Sequence, residues 1–149
     1  MAGIRIHHMA ITCKDMAATE RYYTKHFGFK RTRVVPLGDT QIVFIGLDGV
    51  YLELFQAQSG DKLPAFETDG PKYPTWRHLA FDVEDVDAKL AEMGSDAVVS
   101  LGPLSFDDFI PGWRAVWVAD PDGNIVEISQ GYVDQENPPP LEQPGFMVV

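Results

Sequence analysis

Cysteine is nearly absent. Cys13 alone stands in 149 residues, so no intrachain disulfide can staple the chain. Basic residues are scarce as well: 12 Lys and Arg against 22 Asp and Glu leave a formal charge of −10. That balance argues against a nucleic-acid partner, whose phosphates demand a basic surface. No apolar run approaches membrane-spanning length and the first residues lack a signal-peptide core, so no membrane partner and a cytoplasmic location are expected. What is present is 45% hydrophobic and 23% charged residues, which suits one globular domain or two small modules sharing a core.

The main signal is an internal duplication. His8-Met9-Ala10-Ile11, followed by Asp15-Met16, returns as His78-Leu79-Ala80-Phe81, followed by Asp85-Val86, with an offset of 70 from His8 to His78. Further on, Asp48-Gly49-Val50-Tyr51-Leu52-Glu53-Leu54 returns as Asp122-Gly123-Asn124-Ile125-Val126-Glu127-Ile128, with an offset of 74 from Glu53 to Glu127. Each half therefore begins on a His and ends on a Glu.

The local pattern reads as β-α-β-β-β in each half. Residues 4–12 alternate as a strand, with His8, Ala10 and Thr12 on one face and Met9, Ile11 and Cys13 on the other. The same parity sends His7 and His8 to opposite faces and makes Cys13 a core thiol. Asp15 is the N-cap of a helix to Phe27, its apolar face Met16, Tyr23 and Phe27, and Gly28 ends it. His26 falls in the last turn, where a cation suits the helix dipole. Strands follow at 29–35, 40–45 and 50–56, the last two joined at Asp48-Gly49. In the second half a strand at 78–83 leads to a helix from Asp85 to Met93 with Val86, Leu90 and Met93 on one face. A short strand at 97–101, a loop at 102–112 that is a candidate lid, and a hairpin around Asp122-Gly123 complete it. The expected organisation is a first module at 1–58, a linker at 59–74, a second module at 75–131 and a Pro-rich tail at 132–149. The tail is either disordered or laid on a neighbouring subunit.

Strand parity then gathers the chemistry. Glu53 shares a face with Tyr51 and Phe55, opposite Leu52 and Leu54; Glu127 lies opposite Val126 and Ile128. If those aliphatic residues pack under the helices, both carboxylates and both histidines point to the other, concave side. Burying two carboxylates there without a cation is costly, and a divalent metal resolves the cost. His8, Glu53, His78 and Glu127 are thus the candidate ligands, a donor set that suits Ni, Zn, Co, Mn or Fe(II), one ion per site. If both Asp-Gly pairs make two-residue turns, Phe44 and Ile42 lie beside Glu53, and Val118, Val116 and Arg114 beside Glu127. The candidate substrate pocket is then Phe44, Tyr51, Phe55, Arg114 and Val118. Arg114 is either the partner of an anionic substrate group or a solvated strand-end residue.

These motifs, with Asp120-Pro121-Asp122-Gly123-Asn124-Ile125-Val126-Glu127, resemble those of the vicinal oxygen chelate superfamily, across about residues 4–131. That superfamily includes glyoxalase I, methylmalonyl-CoA epimerase, extradiol dioxygenases, and fosfomycin- and bleomycin-resistance proteins. The resemblance implies an α+β fold of two tandem βαβββ modules, a cupped mixed sheet with helices on its outer face. It places the family's metal ligands at His8, Glu53, His78 and Glu127. It also implies a homodimer, with each site within one chain or shared between two.

A His, Glu, His, Glu set resembles that of bacterial glyoxalase I. Thr12 and Ala57 stand where that enzyme has its glutathione-binding Arg and Asn, which argues against a glutathione substrate. Leu37 stands near the place of the epimerase's catalytic Glu, which argues against that reaction. The leading expectation is a glyoxalase-like, metal-dependent lyase or isomerase acting on a small oxygenated substrate. A proton moves through a metal-bound enediolate, and Glu53 or Glu127 is the base. The alternatives are a small-molecule-binding or resistance protein, and a non-haem Fe(II) dioxygenase using His8, His78 and Glu127.

Overall fold

Asp15 and Asp85 start the two helices in the same way. In the computed structural model, which describes residues 3–60 and 66–141, the Asp15 carboxylate accepts from the Ala18 amide at 3.0 Å. Asp85 accepts from Ala88 at 2.9 Å. Each cap satisfies one amide that the first helical turn leaves without a partner. The capped elements are α1 (Met16–Phe27) and α2 (Val86–Met93). Gly28 ends α1 in the left-handed conformation, its amide bonded to the Thr24 carbonyl.

Around α1 lie β1 (His8–Cys13), β2 (Lys30–Leu37), β3 (Thr40–Leu47) and β4 (Val50–Gln56), in sheet order β1-β4-β3-β2. Around α2 lie β5 (Leu79–Asp82), β6 (Val98–Ser105), β7 (Arg114–Ala119) and β8 (Ile125–Gln130), in order β5-β8-β7-β6. In both sheets the first strand pairs parallel to the last and the remaining pairs are antiparallel. The fold is thus α+β, two mixed four-stranded sheets with one helix each, as the duplication implies. Residues 61–65 of the expected linker and 142–149 of the expected tail lie outside the described residues; 132–141 form no helix or strand.

One core serves both halves. Leu52 and Leu54 from β4 join Val126 and Ile128 from β8, with Met16, Tyr23, Val86 and Met93 from the helices. Each such aliphatic residue, fully buried, contributes about 1.5–3 kcal/mol. Phe27, expected on the apolar face of α1, is only partly buried, because it stacks instead on Phe81 of the other half at 4.1 Å between centroids. Polar bonds close the same junction. Tyr23 donates to Asp120 at 2.8 Å, Thr19 to Asp122 at 3.0 Å, and Lys25 to Asp96 at 2.8 Å. Buried His26 meets the same Asp96 oxygen at 2.8 Å through Nε2. Burial pushes the Asp120 carboxyl above its ordinary value, against the pull of its bonds from Asn124 and Tyr23. Cys13 is fully buried and its thiol is pushed up to about 11, which removes it from thiolate chemistry at neutral pH.

The candidate lid is shorter and more tightly bonded than expected. β6 runs on to Ser105, absorbing extra residues through two register shifts against β7. The remaining turn is tied internally: Phe106 N to the Trp113 carbonyl, Ile110 N to the Phe106 carbonyl, and Gly112 N to Asp107 at 2.7 Å.

Candidate metal and substrate site

Parity holds on β4. Glu53 faces away from the core that buries Leu52 and Leu54, and its cross-strand neighbour on β3 is Phe44. Tyr51 and Phe55 flank it on the same face. His8 opens β1, and its Nε2 lies 3.2 Å from Glu53 Oε2. The Phe44 ring stands edge-on to His8, 6.0 Å between centroids. His7 does not point to the opposite face. Its Nδ1 lies 2.8 Å from His8 Nδ1, so one of the two nitrogens carries the shared proton. His7 precedes the paired part of the strand, where alternation does not constrain it.

The second half repeats the arrangement. His78 Nε2 lies 2.7 Å from Glu127 Oε2. Here Trp117 is the cross-strand neighbour, its ring edge-on to His78 at 6.2 Å, and its Nε1 donates to Glu127 Oε2 at 3.1 Å. His78 Nδ1 bonds to the Asp69 carbonyl at 2.7 Å, which leaves Nε2 with a free lone pair in the neutral ring. Gly70 makes that bond reachable: at φ +114 it lies so close to Arg77 that a Cβ would meet the Arg77 carbonyl oxygen at 2.1 Å. An Arg77–Asp69 ion pair at 2.9 Å closes the turn.

Val118 and Arg114 require correction, for one reason. Asp120-Pro121-Asp122-Gly123 is a four-residue turn, its Gly123 amide bonding the Asp120 carbonyl at 3.0 Å, with Gly123 left-handed at φ 84. The Asp120 amide also bonds the Asn124 carbonyl at 2.8 Å, so the hairpin loop holds residues 121–123, three where the first hairpin holds two, and Ala119 pairs with Ile125. A one-residue shift exchanges the faces of the whole strand. Val118 is fully buried in the shared core, and Arg114 reaches helix α2, where Nη2 lies 2.8 Å from Asp87. Trp117 takes the expected place of Val118. The signal was in the sequence: Asp, Pro and Gly at positions 120, 121 and 123 are the preferred residues of a type I turn.

The four candidate ligands do not meet within one chain. They form two His–Glu pairs on the sheet faces turned away from the common core. Among the described residues no group of three or more His, Cys, Asp and Glu side chains could hold a metal ion. Glu127 lines one recess directly, whereas the His8–Glu53 pair adjoins another through its neighbours His7 and Phe44. Beside the first pair is a cavity of about 350 Å³ lined by His7, Thr32, Arg33, Phe44 and Tyr51. Beside the second pair is one of about 460 Å³ whose lining includes Glu127, Ser129, Trp113 and Tyr132. Strands β1 and β5 are both sheet edges, and a cleft of about 450 Å³ is lined by His8–Thr12 of one and Arg77–Leu79 of the other.

The pairs suit a divalent cation. In each, an imidazole nitrogen and a carboxylate oxygen converge, the donor types that borderline metals prefer. The Asp69 carbonyl behind His78 is the kind of support that orients a metal-binding imidazole.

Known proteins resemble this chain over most of its length. The family model "Glyoxalase/Bleomycin resistance protein/Dioxygenase superfamily" matches residues 5–128. The chain is 30% identical over 132 residues to the uncharacterized protein YaeR of Escherichia coli strain K12, covering 86% of this chain and 98% of that one. It is 27% identical to Glyoxylase I 4 of Arabidopsis thaliana, covering 83% of this chain and 68% of that one. Among solved structures, a glyoxalase family protein from Enterococcus faecalis is 32% identical, with a TM-score of 0.60, covering 84% of this chain and 96% of that one.

Proposed function

Because the chain belongs to the glyoxalase/bleomycin resistance protein/dioxygenase superfamily, we propose that it is a metal-dependent lyase or isomerase of glyoxalase type. It acts on a small oxygenated substrate as a homodimer. Each site takes His8 and Glu53 from one subunit and His78 and Glu127 from the other. The observation that carries this reading is the duplicated Nε2–Oε2 approach, 3.2 Å in one half and 2.7 Å in the other. Two incomplete donor pairs on outward faces, together with the edge strands β1 and β5, are what a second copy would complete.

A divalent ion held by the four residues would act as a Lewis acid towards adjacent substrate oxygens. The chain's own groups divide the remaining work. Glu127 is held by the Trp117 indole as well as facing His78, so it serves as a fixed ligand. Glu53 faces His8 at the longer distance and has no second side-chain donor among the described residues, so it is the carboxylate suited to remove a proton beside a carbonyl. The Phe44 ring stands edge-on to His8 and the Trp117 ring edge-on to His78, so each donor pair has an aromatic ring beside it.

Metal analysis of protein purified without an affinity tag, melting curves with and without chelator, and a screen of hemithioacetals and catechols test this proposal. The expected result is about one ion per chain, a melting temperature that falls on chelation, and turnover of a hemithioacetal. A metal-free protein whose melting ignores added Ni, Zn, Co, Mn and Fe(II) would sink it. Oxygen-dependent catechol cleavage would instead favour the dioxygenase, and capture of a small molecule without turnover the binding protein.

A further inference from the structure

The recess beside His8 and Glu53 contains a cation placed there by an irregularity in β2. Arg31 pairs with Ile45, whereas Arg33 pairs with Phe44, a register shift of one residue at Thr32. Two residues apart on a regular strand, both arginines would share a face. The bulge separates them. Arg31 turns to the helix side and grips Glu20 through Nε and Nη2, both at 2.7 Å. Arg33 turns to the face that carries Phe44 and Glu53, lines the 350 Å³ recess, and pairs with no carboxylate among the described residues. Thr32 fixes the bulge by donating to the Phe44 carbonyl at 3.2 Å.

The recess is shaped around Tyr51. Gly46 lies opposite Tyr51, and a Cβ there would come within 2.9 Å of the Tyr51 ring, so the absent side chain lets the ring lie across β3. His7 tilts against the same ring at 5.0 Å and is joined through Nδ1 to His8. A guanidinium, an imidazole, a hydroxyl and a phenol thus surround one space next to a candidate metal ligand, in a chain whose net charge of −10 otherwise repels anions.

We propose that this recess is an oxyanion subsite: Arg33, with His7 and Tyr51, binds the carboxylate or phosphate end of the substrate. The site therefore selects anionic substrates whose oxygenated carbons lie between Arg33 and the His8–Glu53 pair. This rests on the reading of that pair as half of the reaction site. The guanidinium holds the oxyanion by charge-assisted hydrogen bonds, and the Phe44 ring separates it from Glu53.

The test is an NMR titration of the metal-free protein with inorganic phosphate and, separately, acetate at low ionic strength. The amides of Gly46, Tyr51 and Arg33 are followed. Saturable shifts confined to this recess are expected with at least one anion, and the stronger of the two identifies the preferred end group. Arg33→Gln should weaken binding about tenfold or more, and Arg21→Gln, on the exposed side of α1, should not change it. Gly46→Ala, which crowds Tyr51, should weaken it too while Arg33 remains. No saturable shift with either anion, or shifts unchanged by Arg33→Gln in a protein with normal melting, would overturn the proposal. Zinc uptake by the same samples reads the metal site separately. Loss of the anion site alone leaves zinc uptake intact, and failure of the metal reading leaves the anion titration intact.

Discussion

The pair at Glu127 is fixed from several sides, whereas the pair at Glu53 is not. His78 is anchored by the Asp69 carbonyl and Glu127 by the Trp117 indole, and the two approach to 2.7 Å. His8 leans on another side chain, His7, and stands 3.2 Å from Glu53, with its own side chain 40% exposed against 20% for His78. The same duplicated motif has therefore produced a rigid half and an adaptable half. The rigid half lies beside aromatic rings; the adaptable half lies beside Arg33 and Tyr51. A site assembled from one of each has a fixed wall and a wall with a carboxylate free to change partners, which is what proton transfer at a bound ion requires.

The strongest way to break this comparison is to exchange the two carboxylates for amides. Glu53→Gln keeps the shape and an oxygen donor but loses basicity. Turnover of a substrate found in the screen should fall by roughly 10²–10⁴-fold, with metal content largely retained. Glu127→Gln should instead lower metal content, measured by elemental analysis. The reverse assignment would mean that the anchored carboxylate is the base.

A smaller effect sharpens it. Trp117→Phe keeps a ring beside His78 but removes the donor to Glu127 and part of a ring packed with Ala115 and Ile125. Metal affinity should drop by about tenfold, beyond the modest fall in the melting temperature of metal-free protein that the lost packing causes. Phe44→Leu in the other half removes no hydrogen bond and should leave affinity within a few-fold of the parent. Equal losses in both variants would remove the distinction between the halves.

Much of this was readable from the residues because most of it follows from alternation and capping. Asp15 and Asp85 cap helices where expected, the Asp48-Gly49 turn holds two residues, and the parity that puts Glu53 opposite Leu52 and Leu54 follows from it. What escaped were single-residue shifts. An extra turn residue at Pro121-Asp122-Gly123 moved Val118 and Arg114 to the helix side and brought Trp117 to Glu127. A bulge at Thr32 brought Arg33 into the first half's recess. Such shifts leave hydrophobic periodicity nearly intact while reversing which side chains meet, so pattern alone locates the sheet but not its pocket.

The smallest expected effect concerns the polar junction between the halves. Lys25, and then His26, hold the Asp96 carboxyl below its ordinary value of 3.8. A lowered value in the folded state means stability that is present above about pH 4 and lost as pH falls through the folded value. Asp96→Asn should therefore lower the melting temperature at pH 7 by roughly a few degrees, and the difference should shrink as pH falls through the folded value and the Asp96 carboxyl becomes uncharged like the Asn side chain. A decrease of the same size at every pH would assign the effect to packing.

The proposed division of one site between two subunits is tested most directly by mixing two defective chains. His8→Ala spoils the adaptable half of its own chain and leaves the rigid half intact; Glu127→Ala does the converse. In a dimer of one of each, one site is built from two intact halves and the other from two spoiled ones. Cobalt uptake, read from its visible absorption, should be near zero for each variant alone and approach one ion per mixed dimer after the chains exchange. No cobalt uptake in mixtures whose chain exchange is proven by mass spectrometry would contradict a site divided between two subunits.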